Sequence, residues 1–274
     1  MSSPMSNEMR SRWVDGAAGK LHLTDFGGSG PIILALHGVT GGSYLWSGVA
    51  SAIADDARMI ALDFRGHGRS DWSLDHAYET KDLVADLRLV IDQIDFGDEP
   101  PTIMGSSWGA LAAVLLLSQT PEAARKLLIV DVEPSFETRE TDVPPRPYRF
   151  PSLESAIEWE RLANRNAPQK VLAEFTRASM TRTEDGYWMR RHDPYFLTRW
   201  PFRKDDLWEE LSRLVQPVKV IRGEESFVRR GICERMVALN EGWRFSEIPK
   251  SGHLVPLEQP YQLAREIAEF IKPS

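Results

Sequence analysis

A serine between two glycines is the first stretch of this chain that could carry a reaction. In "MGSSWGALAAVLLL" (104–117), Gly105 and Gly109 stand two residues on either side of Ser107, and this G-x-S-x-G spacing selects Ser107 over Ser106. Glycines allow a turn too tight for side chains, here between an apolar strand pattern and a helix pattern. A serine on such a turn, at the positive end of a helix, could attack a carbonyl carbon. The alternative is a serine that only caps the helix.

A serine hydroxyl is a weak nucleophile and needs a neighbouring base. His253 is the candidate base, because it lies in "SGHLVPLEQP" (251–260), a structured loop between the last strand pattern and the last helix pattern. The other histidines are weaker candidates. We interpret His22 and His76 as ordinary surface residues. His37 and His67 are interpreted as structural residues of glycine-rich turns, and His192 lies in an insertion.

Strand and helix patterns alternate along the chain. The continuous apolar run "IILALHG" (32–38) suits a strand buried on both faces, and "YETKDLVADLRLVIDQI" (78–94) has helical spacing. Further strands are predicted within 20–26, 57–68, 101–107, 126–134, 218–226 and 243–253, and further helices within 108–120 and 260–271. This alternation predicts an α/β fold, with a doubly wound, mostly parallel sheet and helices on both faces.

Residues 135–208 interrupt this alternation. They begin with the proline-rich "VPPRPYRFP" and continue as an amphipathic helical pattern with four tryptophans. We interpret them as a helical insertion over the carboxyl edge of the sheet, where open α/β sheets bind ligands, which leaves 1–134 and 209–274 as the core. The tryptophans and Phe196 are expected in the core of the insertion. Its arginines are expected on a solvated helix face, among them Arg190, Arg191 and Arg199.

Composition excludes several classes of protein. The chain of 274 residues has a net charge of −7, which argues against nucleic acid as a partner. Its single cysteine, Cys233, excludes an intrachain disulfide and a cysteine-based metal site. The polar N-terminus has no signal-peptide pattern, and the longest apolar run, 111–117, is too short to span a bilayer. We therefore expect a cytoplasmic protein, a monomer or homodimer, with a small-molecule substrate, no membrane association and no metal.

Four motifs in this order resemble the α/β-hydrolase superfamily: "LHG" (36–38), "DFRGHGRS" (63–70), "GSSWG" (105–109) and "SGHLVPLEQP" (251–260). The resemblance covers nearly all of the chain outside the insertion, which is similar to the family's cap. It implies Ser107 as nucleophile, His253 as base, and an oxyanion hole formed by the backbone N–H groups of Val39 and Trp108. The resemblance also suggests that three residues of the second motif serve packing and charge pairing: Asp63, Arg65 and Arg69.

The acid of the expected triad departs from the family pattern. Many relatives carry an aspartate three residues after the glycine that ends the strand before the last one, but here Ser226 stands three residues after Gly223. Some relatives place the acid one strand earlier, where this chain has Asp131, although a strand-end aspartate can also cap a turn. The other candidates are Glu225, Glu224 and Glu133, or no acid at all.

The predicted function is that of a cofactor-free serine hydrolase acting on a small ester, lactone or related acyl compound, with amide and C–C bonds open to the same residues. Serine at position 107 argues against dehalogenases and epoxide hydrolases, whose nucleophile is aspartate. "HGVTGG" (37–42) lacks the proline-bearing turn of proline iminopeptidases. The alternatives are a non-hydrolytic lyase or cofactor-independent oxygenase of this fold, or a ligand-binding protein with little turnover.

Overall fold

The computed structural model describes residues 9–143 and 145–272 and has a twisted sheet at its centre. The strands of this part of the chain are β1 (Arg10–Gly16), β2 (Gly19–Asp25), β3 (Ile32–Leu36), β4 (Arg58–Leu62), β5 (Thr102–Ser106), β6 (Lys126–Val130), β7 (Arg149–Phe150), β8 (Met180–Arg182), β9 (Trp188–Arg190), β10 (Val218–Gly223) and β11 (Arg244–Ile248).

Eight of these strands form the central sheet, in the order β1-β2-β4-β3-β5-β6-β10-β11. The pairs β1–β2 and β2–β4 are antiparallel, and all the following pairs are parallel. The carboxyl ends of the parallel strands therefore meet at one edge of the sheet. The segments after β3, β5, β6 and β11, which carry the expected site residues, all leave from that edge.

The predicted alternation is confirmed, with two differences at strand level. The predicted run 32–38 ends as a strand at Leu36, because His37 and Gly38 leave the sheet to form the loop beside Ser107. The structure also contains β1, which the sequence analysis did not predict. Most of its side chains are exposed and only Val14 is buried, so the strand has no apolar alternation to detect.

Helices cover both faces of the sheet. The α-helices are α1 (Ser47–Ile53), α2 (Thr80–Gln93), α3 (Trp108–Gln119), α4 (Leu153–Ala163), α5 (Gln169–Ser179), α6 (Trp208–Ser212), α7 (Arg230–Val237), α8 (Val255–Glu258) and α9 (Pro260–Ile271). On one face α2, α3 and α7 bury their apolar side chains, and on the other α1 and α9 do so. Helix α3 is buried nearly all round, which explains its uniformly apolar sequence.

The segment 135–208 contains more than the helices expected of it. Helices α4 and α5 pack against each other, and the strands form a second antiparallel sheet in the order β7-β9-β8. A β-bridge between His67 and His192, and a 2.6 Å hydrogen bond from the Tyr78 hydroxyl to Asp193, join the segment to the loops above the central sheet. Phe196 is fully buried and lies 4.4 Å from the His67 ring, between centroids, so it packs against the main core.

The expectation of a solvated helix face for the arginines of this segment is wrong for Arg190. Arg190 lies on β9 and not on a helix. Its guanidinium is buried, 2.7 Å from the Glu160 carboxylate and 4.7 Å from the centre of the Trp159 ring. An arginine side chain can be buried when a carboxylate and an aromatic ring replace the water molecules that would otherwise contact its guanidinium. Arg199 is exposed, as expected.

Within residues 9–143 and 145–272, no helix combines the length and the apolar character that crossing a bilayer requires.

Candidate active site

Ser107 lies on a sharp turn between β5 and α3. Its backbone has φ 52° and ψ −123°, a conformation that a side-chain-bearing residue adopts only under strain. A Cβ on Gly105 would lie 2.4 Å from the Ala110 Cα, and a Cβ on Gly109 would lie 2.5 Å from the Leu36 carbonyl oxygen. The two glycines of the motif are therefore required by the close approach of backbone segments around Ser107.

The loop after β3 passes directly beside Ser107. A Cβ on Gly38 would lie only 2.9 Å from the Ser107 Cβ, so Val39 follows a residue that is in contact with the serine. Trp108 is the first residue of α3, where backbone N–H groups have no partner within the helix. Among the hydrogen bonds of the described residues, none uses the backbone N–H of Val39 or Trp108.

The structure brings His253 and Asp131 together from segments 122 residues apart. The imidazole Nδ1 lies 2.7 Å from the Asp131 Oδ2, and the carboxylate is completely buried. Asp131 directly follows β6 and has a φ of 55°. A buried carboxylate on Nδ1 requires that nitrogen to carry the proton, which leaves the Nε2 lone pair free to act as a base.

Two further donors hold the Asp131 carboxylate, one from the last residue of β10 and one from the loop after it. The backbone N–H of Gly223 donates to Oδ1 at 2.9 Å, and the Ser226 hydroxyl donates to Oδ2 at 2.5 Å. Ser226 stands at the position where the resemblance described above led us to look first for the acid. Here its hydroxyl binds the acid that lies one strand earlier.

The three glutamates considered as alternative acids have other partners. Glu225 is exposed and accepts a hydrogen bond from the Asn166 side chain at 2.8 Å. Glu224 accepts one from the Lys250 backbone N–H, and Glu133 pairs with the Arg229 guanidinium. Of the carboxylates considered, Asp131 is the one that contacts the imidazole.

The serine and the imidazole are not hydrogen-bonded in this structure. Within the two described ranges, the Ser107 hydroxyl makes no hydrogen bond to any side chain or backbone group. Such bonds between nucleophile and base are often long without substrate and shorten in the reacting complex. Ser107 is 8% exposed and the His253 side chain 26% exposed, so both remain accessible to a small molecule.

Two contacts made with the His253 loop by residues at and after the end of β10 were not predicted from the sequence. The ring of Phe227 lies 4.5 Å from the His253 ring, between centroids, although Phe227 is itself 76% exposed. A Cβ on Gly223 would lie 2.2 Å from the Gly252 carbonyl oxygen, so this glycine lets the loop after β10 pack against the loop that carries His253. The only signal in the sequence was the position of these residues beside Ser226.

The histidines of the glycine-rich turns are structural, as expected. His37 accepts a hydrogen bond from the Phe64 backbone N–H and donates to the Gly38 carbonyl at 2.7 Å, which fixes the backbone beside Ser107. His67 accepts one from the backbone N–H of Thr40. Burial lowers the pKa of both imidazoles, that of His67 to well below its ordinary value, so both remain neutral and can accept these bonds.

The interpretation of His22 as a surface residue is wrong. His22 is 3% exposed, and its ring contacts Asp63 on one side and Ser11 on the other. The alternation of β2 predicted a half-buried strand, but all residues from Leu21 to Asp25 are buried. Strand β2 lies between β1 and β4 in the sheet, and the loop after β4 contacts His22. His76, by contrast, has a side chain that is 55% exposed, as expected.

A buried polar relay starts at the residue after the nucleophile. The Trp108 indole N–H donates to the Thr80 hydroxyl at 2.8 Å, and that hydroxyl donates to the Asp205 carboxylate. Burial raises the pKa of Asp205, the Thr80 bond lowers it, and the charges of Glu79 and Glu210 add to the rise, which together give a pKa of about 6. The relay ties α3, α2 and the end of the inserted segment together.

Comparison with known proteins agrees with this fold. A family model of the alpha/beta hydrolase fold matches residues 31–260, and the chain belongs to that family. An esterase of Mycobacterium tuberculosis is 28% identical over 258 residues, which cover 90% of this chain and 84% of the esterase. A 3-hydroxybutyrate-oligomer hydrolase of Cupriavidus necator is 27% identical over 261 residues, 85% of this chain and 86% of that protein.

The fold is also shared with solved structures of low sequence identity. The crystal structure of E-2-(acetamidomethylene)succinate hydrolase superposes with a TM-score of 0.82 at 22% identity, over 96% of this chain and 99% of that one. The family membership and the esterases and hydrolases among the relatives together show that this protein is a hydrolase.

Asp205→Asn should change how stability depends on pH. The carboxyl binds its proton more tightly in the folded state, with a pKa of about 6, than in the unfolded state, near 3.8. Wild-type stability should therefore fall as the pH rises from about 4 to about 6, whereas the variant lacks this loss. After an allowance for partial exposure, the variant should be more stable at pH 7 by about 1–2 kcal/mol.

Urea unfolding of the wild type and of Asp205→Asn at pH 4.5 and pH 7.5 measures this difference in the free energy of unfolding. Asp206→Asn is the matched control, because the neighbouring Asp206 forms an exposed ion pair with Arg139 whose loss costs little. An Asp205→Asn variant that is equally destabilised at both pH values would contradict the role assigned to burial.

Proposed function

We propose that this hydrolase cleaves a small carboxylic ester, lactone or related acyl compound through Ser107, His253 and Asp131. The observation that carries the proposal is the 2.7 Å contact between the His253 Nδ1 and the buried Asp131 carboxylate. It orients the imidazole and stabilises the positive charge that the ring gains when it takes a proton. The names of the relatives, an esterase and a hydrolase of 3-hydroxybutyrate oligomers, support an ester as the bond that is cleaved.

The reaction follows from the roles of these groups. The Ser107 oxygen attacks the carbonyl carbon while its proton passes to the His253 Nε2. The backbone N–H groups of Val39 and Trp108 donate to the oxyanion that forms, and each such donor contributes about 3 kcal/mol to the transition state. The tetrahedral intermediate then releases the alcohol, which takes the proton from the imidazolium, and leaves an acyl group on Ser107.

Water completes the cycle. It attacks the acyl carbon and gives its proton to the neutral His253, and the carboxylic acid then leaves as the Ser107 hydroxyl is restored. Because Asp131 is held by the Gly223 N–H and the Ser226 hydroxyl, the same imidazole orientation serves both halves of the reaction. An exposed Phe227 ring beside the imidazole offers an apolar surface to the alcohol or acyl group.

Ser107→Ala should remove turnover of a small p-nitrophenyl ester, with a loss in kcat of roughly 10³-fold or more. In the wild type, a fluorophosphonate should form an adduct on the peptide that carries Ser107. Ser106→Ala is the control, because that buried neighbouring hydroxyl has no hydrogen-bond partner within the described residues. Full turnover in Ser107→Ala would contradict an acyl-enzyme mechanism and favour a lyase or oxygenase in which the serine only binds.

Asp131→Asn should lower kcat by about 10³–10⁴-fold, because an amide neither holds the required tautomer nor stabilises the imidazolium. Glu225→Gln should leave kcat unchanged, since among the described residues the hydrogen-bond partner of that exposed carboxylate is the Asn166 side chain, not the imidazole. Steady-state kinetics on one ester measure both variants. A larger loss in Glu225→Gln than in Asp131→Asn would overturn the assignment of the acid.

Ser226→Ala should lower kcat about tenfold with little change in KM, because the loop hydrogen bond to the Asp131 carboxylate is lost and the Gly223 N–H remains. Ser226→Thr retains a hydroxyl and should restore most of the rate. The comparison of kcat in the three proteins is the measurement. If the threonine variant is as slow as the alanine variant, the hydroxyl does not position Asp131.

A further inference from the structure

A second hydrogen-bonded series of serine, histidine and aspartate lies outside the candidate active site. The Ser11 hydroxyl of β1 is 3.0 Å from the Nε2 of His22 on β2, and the Nδ1 of His22 is 2.8 Å from the Oδ2 of Asp63, which follows β4. Two strands, β4 and β3, separate β2 from the strand that leads to Ser107. The mechanism proposed above uses none of these three side chains.

Asp63 determines which groups donate and which accept in the hydrogen bonds among these three side chains. Its carboxylate also accepts the backbone N–H groups of Ser43 at 2.5 Å and of Arg69 at 3.1 Å. Burial would raise the pKa of Asp63, but the bonds from His22 and from the Ser43 backbone outweigh it and the pKa is lowered. An ionised Asp63 requires a proton on the His22 Nδ1, so Nε2 is an acceptor and the Ser11 hydroxyl is the donor.

Burial differs sharply among these three side chains. The side chains of Asp63 and His22 are 2% and 3% exposed, whereas Ser11 is exposed on the edge strand of the sheet. The base and its carboxylate are thus rigid, while the hydroxyl that they contact can be reached from solvent. The guanidinium of Arg69 donates to the Ser11 oxygen at 3.3 Å, which places a cation directly beside the hydroxyl.

We propose that Ser11 is a second nucleophilic serine, activated by His22 and Asp63, that accepts acyl or phosphonyl groups from small activated donors. The Ser11 oxygen forms a bond to the carbonyl carbon or phosphorus, and its proton passes to the His22 Nε2. The bond from that centre to the leaving group breaks, and the leaving group departs with the proton from the imidazolium. The products are an ester of Ser11 and the protonated leaving group, with no change of oxidation state.

The test uses full-length protein that carries Ser107→Ala, so its outcome does not depend on the proposed esterase mechanism. The protein is incubated with a fluorophosphonate, whose phosphorus would be transferred with release of hydrogen fluoride. Intact mass and peptide mapping then locate the adduct. We expect one adduct on the peptide that carries Ser11, none after Ser11→Ala is added, and at least tenfold slower labelling after His22→Gln is added.

Ser29 is the internal control, because it is also exposed, and its hydrogen bonds to the described residues go to carbonyl oxygens and not to a base. Labelling of the same protein in denaturant is the second control, since it removes the contact with His22. Labelling of Ser11 that exceeds labelling of Ser29 and disappears on unfolding supports the proposal. No adduct at Ser11, or equal adducts at Ser11 and Ser29, would overturn it and leave the three residues as a structural hydrogen-bond network.

Discussion

The contact between Asp131 and His253 is the interaction on which the candidate active site depends. A histidine that lies in a loop can adopt many orientations, and only a fixed partner on one ring nitrogen directs the other toward a serine. Asp131 provides that partner because it is itself held, by the Gly223 N–H and the Ser226 hydroxyl, in a fully buried position. The end of β10 and the loop after it thus stabilise the carboxylate that orients the base.

Close backbone packing is the second constraint. Ser107 has a strained conformation, and the segments around it approach so closely that no side chain fits at Gly105, Gly109 or Gly38. Neutral, buried histidines hold these segments, since His37 donates to the Gly38 carbonyl and accepts from the Phe64 N–H. Strain at the nucleophile is maintained because the surrounding core determines the position of the backbone more strongly than local preference does.

Several parts of this structure could be predicted from the sequence. The order of strands and helices follows from apolar runs and periodicity, and Ser107 and His253 stand in motifs whose spacing has a mechanical reason. The strand β1 could not be predicted, because an exposed edge strand with one buried residue, Val14, has no pattern. The burial of His22 and Arg190 was also missed, because each depends on partners distant in the chain: Asp63 and Glu160.

The sequence by itself determined the family of folds and pointed to Ser107 and His253 as the candidate nucleophile and base, because glycine spacing and hydrophobic period are local properties of the chain. It left the acid open among four carboxylates, since their distances from His253 depend on how β6, β10 and the final loop meet. Only the tertiary structure placed Asp131 on the imidazole and gave Ser226 a role as its donor. Hydrogen bonds between residues about 100 positions apart follow from strand order, which no short stretch of sequence encodes.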